Sequence, residues 1–184
     1  ISDDWNELSK EKAVRDAAPY IVEKKRWNYE PQIKTTEDLW QNFKVILEQH
    51  NQGTLDHPLS VVEFNQVKKI ISNLHTPYEA GQFLYGLNGV SEIEIDLDDG
   101  RHVFLTVFDQ KEIDAGDTVY QIVNQIERPA VISGKMDRRF DTTLLINGLP
   151  IIQIEEKKET HDINEALNQM HQYAAENQYR DIYS

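Results

Sequence analysis

The chain has 184 residues, of which 39% are hydrophobic, and it contains no cysteine. Its length suits a single domain with a proper core, and the lack of cysteine excludes disulfides, thiolate catalysis and cysteine-ligated metal sites. The formal net charge of −13 repels a polyanion at long range, so composition alone favours an acidic enzyme or a protein-interaction module over a nucleic-acid-binding protein.

Apolar runs in the sequence are far too short to span a bilayer, and nothing in it resembles a signal peptide. We therefore expect a soluble protein with no membrane association. The cytoplasm is its expected compartment, and the lack of cysteine is compatible with a reducing environment.

Helix-like periodicity dominates residues 1–87. Thr36-Glu37-Asp38-Leu39 opens a helix whose apolar residues recur at spacings of three and four. Ser60-Val61-Val62-Glu63 is a capping box, in which the Ser hydroxyl and the Glu carboxylate satisfy each other's free amides. Thr76-Pro77-Tyr78-Glu79 predicts a third, short helix that ends near Gly86. The first part of the chain is therefore predicted to be mainly helical.

Strand-like patterns dominate the second part, residues 88–184. Residues 92–97 and 103–108 alternate between polar and apolar types around a turn, which predicts an antiparallel hairpin with one wet face. Residues 118–127 suit a strand or a helix, and we favour a strand. A second hairpin is predicted around Asn147-Gly148. Asp162-Ile163-Asn164-Glu165 is a capping box that starts a final helix.

The second hairpin carries the candidate chemistry. Asp141 lies on its first predicted strand, and Glu155 and Lys157 lie on one face of its second. Two carboxylates on neighbouring strands can bind Mg²⁺, which prefers oxygen ligands and keeps several waters for a phosphate and a nucleophile to replace. The lysine can orient the attacking water and offset negative charge in the transition state.

An acidic residue followed two positions later by lysine is also common on solvated strands, so Glu155 and Lys157 alone do not define a site. Asp141 across the turn strengthens the argument, because period two then separates the side chains of the hairpin into two groups. The polar group, expected on one face with Asp141, is Thr143, Gln153, Glu155 and Lys157. The apolar group, expected to face the core, is Phe140, Leu144, Ile146, Ile152 and Ile154.

The register of this hairpin decides whether a shared metal is possible. A regular two-residue Asn147-Gly148 turn would place Asp141 opposite Ile154, and Glu155 would then lie on the other face of the sheet. We therefore expect a three-residue loop or an equivalent bulge. A loop of residues 146–148 would pair Asp141 with Gln153, and a loop of residues 147–149 would pair it with Glu155.

The hairpin and the helix after it resemble the nuclease motif of type I restriction enzyme R subunits. Three segments carry the resemblance: Arg139-Phe140-Asp141 through Leu149-Pro150, Gln153-Ile154-Glu155-Glu156-Lys157, and Asn168-Gln169 through Tyr173. A weaker similarity extends from about Trp27 to Arg128 and includes Val123-Asn124-Gln125. Glu156 departs from the motif, because the family usually has an apolar residue there.

The resemblance implies a PD-(D/E)xK restriction-endonuclease-like α/β fold, with a mixed sheet flanked by helices and preceded by a helical segment. It implies that Asp141 and Glu155 bind Mg²⁺ and that Lys157 is catalytic. It further implies that Gln169 and Tyr173 support the lysine or contact DNA, although simple core packing is the alternative for Tyr173. His161 and His171 are expected to be exposed surface residues.

The same resemblance implies partners and missing parts. R subunits join the nuclease to an ATP-driven DNA translocase, yet no phosphate-binding loop of the G-x-x-x-x-G-K-[ST] type occurs here. We therefore expect an N-terminal fragment whose partners are double-stranded DNA and the methylase and specificity subunits, with ATP needed only by the absent motor. The alternatives are a stand-alone repair nuclease of the same superfamily and a non-catalytic docking domain.

Overall fold

Three successive helices precede most of the strands in a computed structural model that describes residues 27–130, 132–135, 137–154, 163–176 and 181–183. The helices are α1 (Thr36–His50), α2 (Val61–Ser72), α3 (Pro77–Tyr85), α4 (Gln110–Ala115) and α5 (Ile163–Ala175). The strands are β1 (Trp27–Tyr29), β2 (Val90–Asp96), β3 (His102–Asp109), β4 (Tyr120–Arg128), β5 (Arg138–Ile146) and β6 (Leu149–Ile154). A 3₁₀ turn spans Asp181–Tyr183.

The three predicted helices of the first part are confirmed, and side-chain caps explain where they begin. Thr35, Ser60 and Thr76 each accept a hydrogen bond from the third helical amide, and an acidic side chain at that position bonds back to the cap backbone. The capping box at Asp162, predicted for the last helix, lies outside the described residues.

Four strands form one mixed sheet in the order β1-β4-β5-β6. β1 is parallel to β4, whereas the β4–β5 and β5–β6 pairs are antiparallel. The mixed α/β class expected from the sequence is confirmed, and so is the preference for a strand at residues 118–127. β1 and α4 were not predicted from the sequence.

The hairpin β2–β3 forms a separate two-stranded sheet with one wet face, as predicted. Along β2, Ser91, Ile93 and Ile95 are buried, and the residues between them are exposed. Asn51 ties this hairpin to the end of α1, because its side-chain amide donates to the Thr106 carbonyl and accepts from the Thr106 amide, both at 2.8 Å.

One hydrophobic cluster joins the helices to both sheets. It includes buried side chains of α1, α2, the β2–β3 hairpin, β4 and β5, represented by Phe43, Val67, Leu105, Val123 and Leu145. Burial of this apolar surface is the main favourable contribution to the stability of the fold. None of the helices in the described part of the chain is long and apolar enough to cross a membrane.

Candidate functional site

The β5–β6 hairpin contains the expected register shift, although its turn differs from both expected loops. Ile146 pairs with Leu149 across a two-residue Asn147-Gly148 turn, in which both residues have positive φ, 50° and 81°. Leu145 then pairs with Pro150 and Leu144 with Ile152, so Ile151 is an extra residue in β6. The expected bulge is confirmed.

Both three-residue loops proposed from the sequence are wrong, since the turn itself is regular. The bulge shifts the later pairs by one residue, so that Thr143 lies opposite Gln153 and Thr142 opposite Ile154. The Thr143 hydroxyl donates to the Gln153 side-chain oxygen at 2.8 Å, which confirms that these two polar residues share a face. The described pairing ends there.

Asp141 is half-buried in β5, between Phe140 and Thr142, which are 0% and 1% exposed. Glu155, Glu156 and Lys157, together with His161, lie outside the described residues. Of the predicted site residues, the structure therefore describes Asp141, Gln169 and Tyr173.

The division of the hairpin into one core face and one polar face is only half correct. Phe140 and Leu144 are buried as expected, but Ile152 is 49% exposed. Thr143, expected on the polar face, is 1% exposed. The reason is that β5 is an inner strand of the sheet and β6 is its neighbour at the end of the strand order, so burial depends on strand position as well as on alternation.

Gln169 and Tyr173 lie one turn apart on α5, and the Gln169 amide donates to the Tyr173 hydroxyl. The Tyr173 side chain is buried, and its ring lies 5.5 Å from the ring of Phe140, the residue before Asp141. The pair thus packs against the strand that carries Asp141. His171, on the same helix, is exposed as expected.

A polar cluster on β4 adjoins this region and was not identified from the sequence. Asn124, which pairs with Thr142, is 4% exposed. Its side-chain oxygen accepts from the Tyr29 hydroxyl at 3.1 Å and from the Lys34 ammonium at 2.9 Å. The next residue, Gln125, has φ of +57° in the middle of the strand. No sequence signal marks this conformation, since glutamine is not a residue type that favours positive φ.

A second unexpected cluster surrounds Arg128, which is fully buried. Its guanidinium donates to the Thr36 hydroxyl at 2.8 Å and lies 4.9 Å from the ring of Tyr183. Burial raises the pKa of Tyr183 to about 12. The hydrogen bond with Thr143 and the positive charge of Arg128 lower this pKa by smaller amounts. Tyr183 is therefore a neutral packing and hydrogen-bonding residue rather than a nucleophile.

The sequence also matches known proteins. Residues 7–183 match a family model described as the type I restriction enzyme R protein N terminus. The chain belongs to this family. A type I restriction enzyme endonuclease subunit of Staphylococcus aureus strain MSSA476 is 30% identical over 146 residues, which are 79% of this chain and 14% of that subunit. A Staphylococcus saprophyticus endonuclease subunit is 31% identical over 146 residues, also 79% of this chain and 14% of that subunit.

The R protein N-terminal region also resembles a shorter stretch of the EcoprrI endonuclease subunit of Escherichia coli, at 40% identity over 80 residues, 44% of this chain and 24% of that subunit. The resemblance to type I R subunits is thus confirmed. The match covers only about a seventh of the staphylococcal subunits, so the relatives are much longer than the region described here.

Within the described part of this R protein N-terminal region, no three His, Asp or Glu side chains converge on a common point where they could hold a metal ion. Asp141 is a described carboxylate on β5, and Tyr173 of α5 packs against its neighbour Phe140. The Asp141 oxygen atoms are the ligand type that Mg²⁺ prefers.

Proposed function

We propose that this chain is the nuclease domain of a type I restriction R subunit and hydrolyses phosphodiester bonds of unmodified foreign double-stranded DNA. The observation that carries the proposal is the bulge at Ile151. With a regular two-residue turn and no bulge, Asp141 would face Ile154; with the bulge, Ile154 faces Thr142 instead. The naming of the relatives as endonuclease subunits supports the same conclusion.

We propose that Asp141 and Glu155 are the two metal-binding carboxylates of a PD-(D/E)xK site, as the resemblance to the R subunit nuclease motif implies. The two carboxylates would then hold Mg²⁺, which supplies positive charge to polarise the phosphate and to acidify a bound water. The half-buried position of Asp141 fits this role, because it excludes part of the solvent while leaving access to a phosphate.

Lys157 follows Glu155 by two residues, which is the spacing of the (D/E)xK motif, and we propose it as the catalytic lysine. Its ammonium group would orient the attacking water and stabilise charge on the phosphate as the water oxygen bonds to phosphorus and the bond to the leaving oxygen breaks. Gln169 and Tyr173 would support this arrangement indirectly, since Tyr173 packs on Phe140 beside Asp141.

The acidic character of the chain fits a division of labour in a larger enzyme. We propose that the motor part of the R subunit uses ATP to move DNA and that the methylase and specificity subunits recognise it. The nuclease region then cuts DNA that other parts hold, in the cytoplasm of a bacterium or archaeon. This assignment explains why a chain of net charge −13 acts on a polyanion.

Substitution of Asp141 tests the proposal. In the full R subunit assembled with its partners, Asp141→Asn removes the charge with little change in size and should lower the rate of DNA cleavage by several orders of magnitude. ATP hydrolysis and translocation should be unchanged, because they belong to another part of the subunit. Glu155→Gln and Lys157→Ala should behave in the same way.

Asp117→Asn is the matched control, since Asp117 is an exposed carboxylate in the loop before β4. It should cleave at the wild-type rate. Persistent cleavage by both Asp141→Asn and Glu155→Gln would show that the nuclease site lies elsewhere. Loss of ATP hydrolysis together with cleavage would indicate a folding or assembly defect instead.

A further inference from the structure

Gln125 occupies a strained position in the middle of β4. Its φ of +57° lies in the left-handed region, where a side chain with a Cβ atom is disfavoured and glycine is not. The strand spans Tyr120–Arg128, so the residue is neither at a turn nor at a strand end. Strain of this kind persists only where the surrounding structure holds it, and it is concentrated at functional sites.

Lys34 and Tyr29 contact Asn124, the residue before this kink. The Lys34 ammonium donates to the Asn124 main-chain carbonyl at 3.2 Å, which belongs to the peptide bond between Asn124 and Gln125. It also donates to the Asn124 side-chain oxygen, as the Tyr29 hydroxyl does. The conformation of this peptide is therefore fixed by contacts from outside β4.

The kink lies opposite Asp141. Asn124 pairs with Thr142 and Ile126 pairs with Phe140, so Gln125 and Asp141 occupy the facing positions between these pairs. The kink also changes the alternation of β4, since Val123 and Ile126 both belong to the main core although a regular strand would point them to opposite faces. Core packing therefore explains the need for a kink.

Core packing does not explain why the residue is glutamine. Glycine would adopt the same φ without steric cost. The Gln125 side chain is half-buried, and within the described part of the chain its amide makes no hydrogen bond. Gln125 thus combines backbone strain, an amide with no hydrogen-bond partner among the described residues and a register position opposite a proposed metal ligand, and these are features of a ligand-binding side chain.

We infer that Gln125 is a phosphate-binding residue, whose side-chain N–H groups donate to an oxygen of the DNA backbone held at Asp141. The inference rests on the proposed function, because it takes a phosphodiester at Asp141 as the ligand. The amide holds the phosphate in position and takes no part in proton transfer. A neutral donor suits this place, since it binds phosphate without competing with Mg²⁺ for the carboxylate of Asp141.

Two substitutions in the full, assembled R subunit separate this role from a packing role. Gln125→Gly keeps the kink without strain and removes the amide. Gln125→Glu keeps the size and the strain but replaces the donors with a negative charge that repels phosphate. Single-turnover DNA cleavage should fall about 10-fold in Gln125→Gly and about 100-fold or more in Gln125→Glu, in line with the loss of one positioned donor. ATP hydrolysis should be unchanged in both.

Thermal unfolding provides the second measurement. The midpoint of Gln125→Gly should stay near that of the wild type, because relief of strain offsets the extra freedom of glycine in the unfolded chain. Wild-type cleavage by both variants would overturn the inference. So would a large fall in the midpoint for Gln125→Gly, since the side chain would then be needed for packing.

Asp141→Asn, measured in parallel, separates this inference from the proposed function. If Asp141→Asn loses cleavage and the Gln125 variants do not, only the role of Gln125 is wrong. If Asp141→Asn cleaves normally, the proposed nuclease site is wrong and the role of Gln125 falls with it.

Discussion

Glu63 is a carboxylate with no exposed surface, and it connects α2 to the β2–β3 turn. One of its oxygens accepts from the Ser60 amide at 2.7 Å, and the other accepts from the Asp98 amide at 2.8 Å and lies 3.3 Å from the His57 ring. Burial alone would raise the pKa of Glu63, but the two amides and His57 outweigh it and lower the pKa. The carboxylate is therefore charged and fully used as an acceptor.

Glu63→Gln should destabilise the protein by about 1–3 kcal/mol, because a charged acceptor of two buried amides becomes a neutral one. The lowered pKa of Glu63 means that its contribution is present above the unfolded value, near 4.5, and is lost as the pH falls through the folded value. His57 has a raised pKa, caused first by Asp56 and then by Glu63, so its contribution is lost as the pH rises above 6.5 through its folded value. The difference in the free energy of unfolding between Glu63→Gln and the wild type should be largest at about pH 5–6.

Urea denaturation across this range of pH measures the effect. Glu79→Gln is the matched control, because Glu79 has the same capping-box role on α3 but is exposed. It should cause a smaller loss of stability. Equal losses in both variants would mean that Glu63 acts only as a helix cap.

Individual site residues could be predicted from the sequence where chemistry selects the residue type, and not where backbone geometry does. Asp141 is a candidate because a carboxylate across a turn from Glu155 and Lys157 forms a recognisable pattern. Gln125 was noted only as part of the family similarity at residues 123–125, and its positive φ could not be predicted because its residue type disfavours that conformation. Arg128 was missed for a related reason, since a fully buried arginine is rare and depends on the packing of distant elements.

At the scale of elements, the turn between β5 and β6 is part of the core rather than a solvated loop. Asn147 is 2% exposed, and its side chain donates to the Val107 carbonyl and accepts from the Val119 amide. Gly148 lies against α1, where an added Cβ atom would come within 2.8 Å of the Phe43 Cα atom. The turn therefore positions the hairpin against two other parts of the fold.

Gly148→Ala should destabilise the protein by about 2–5 kcal/mol, the sum of about 1–2 kcal/mol for the left-handed conformation and about 1–3 kcal/mol for the steric contact with α1. Gly100→Ala is the matched control, because Gly100 also has positive φ but has no atom within 4 Å of the added Cβ. Gly100→Ala should lower the free energy of unfolding only by the cost of the left-handed backbone conformation. Urea denaturation of both variants gives the difference, and equal losses would mean that α1 moves to accommodate the methyl group.

Elements with strong local signals were predicted well, and short elements were not. Capping boxes and apolar stripes located α1, α2 and α3, because both signals arise within the helix itself. β1 has only three residues and is stabilised by pairing with β4, about ninety residues later, which no local pattern reports. The bulge in β6 was anticipated only because the proposed chemistry required one.

At the scale of the whole molecule, several described basic side chains form ion pairs with acidic ones, which offsets their positive charge. Three such pairs are Lys44 with Glu48, Lys68 with Glu37, and Arg101 with Asp56. The exposed face of β2 adds Glu92, Glu94 and Asp96. His102 bonds to the last two and offsets only part of their charge. The molecule therefore presents a negative surface on this side.

The purified chain should accordingly bind duplex DNA weakly, because the net charge of −13 opposes association. Its Kd should be at least as large as that of non-specific complexes, which is about 10⁻⁴ to 10⁻⁶ M. Fluorescence anisotropy at about 50 mM and 200 mM salt measures this, and the affinity should fall further at the higher concentration as counterions screen the few attractive contacts. Replacing Glu92 and Glu94 by Gln and Asp96 by Asn removes three negative charges, from −13 to −10, and should tighten binding if long-range repulsion is the cause. Tight, sequence-specific binding by the unaltered chain would contradict the proposed division of labour, since DNA recognition would then reside in this region itself.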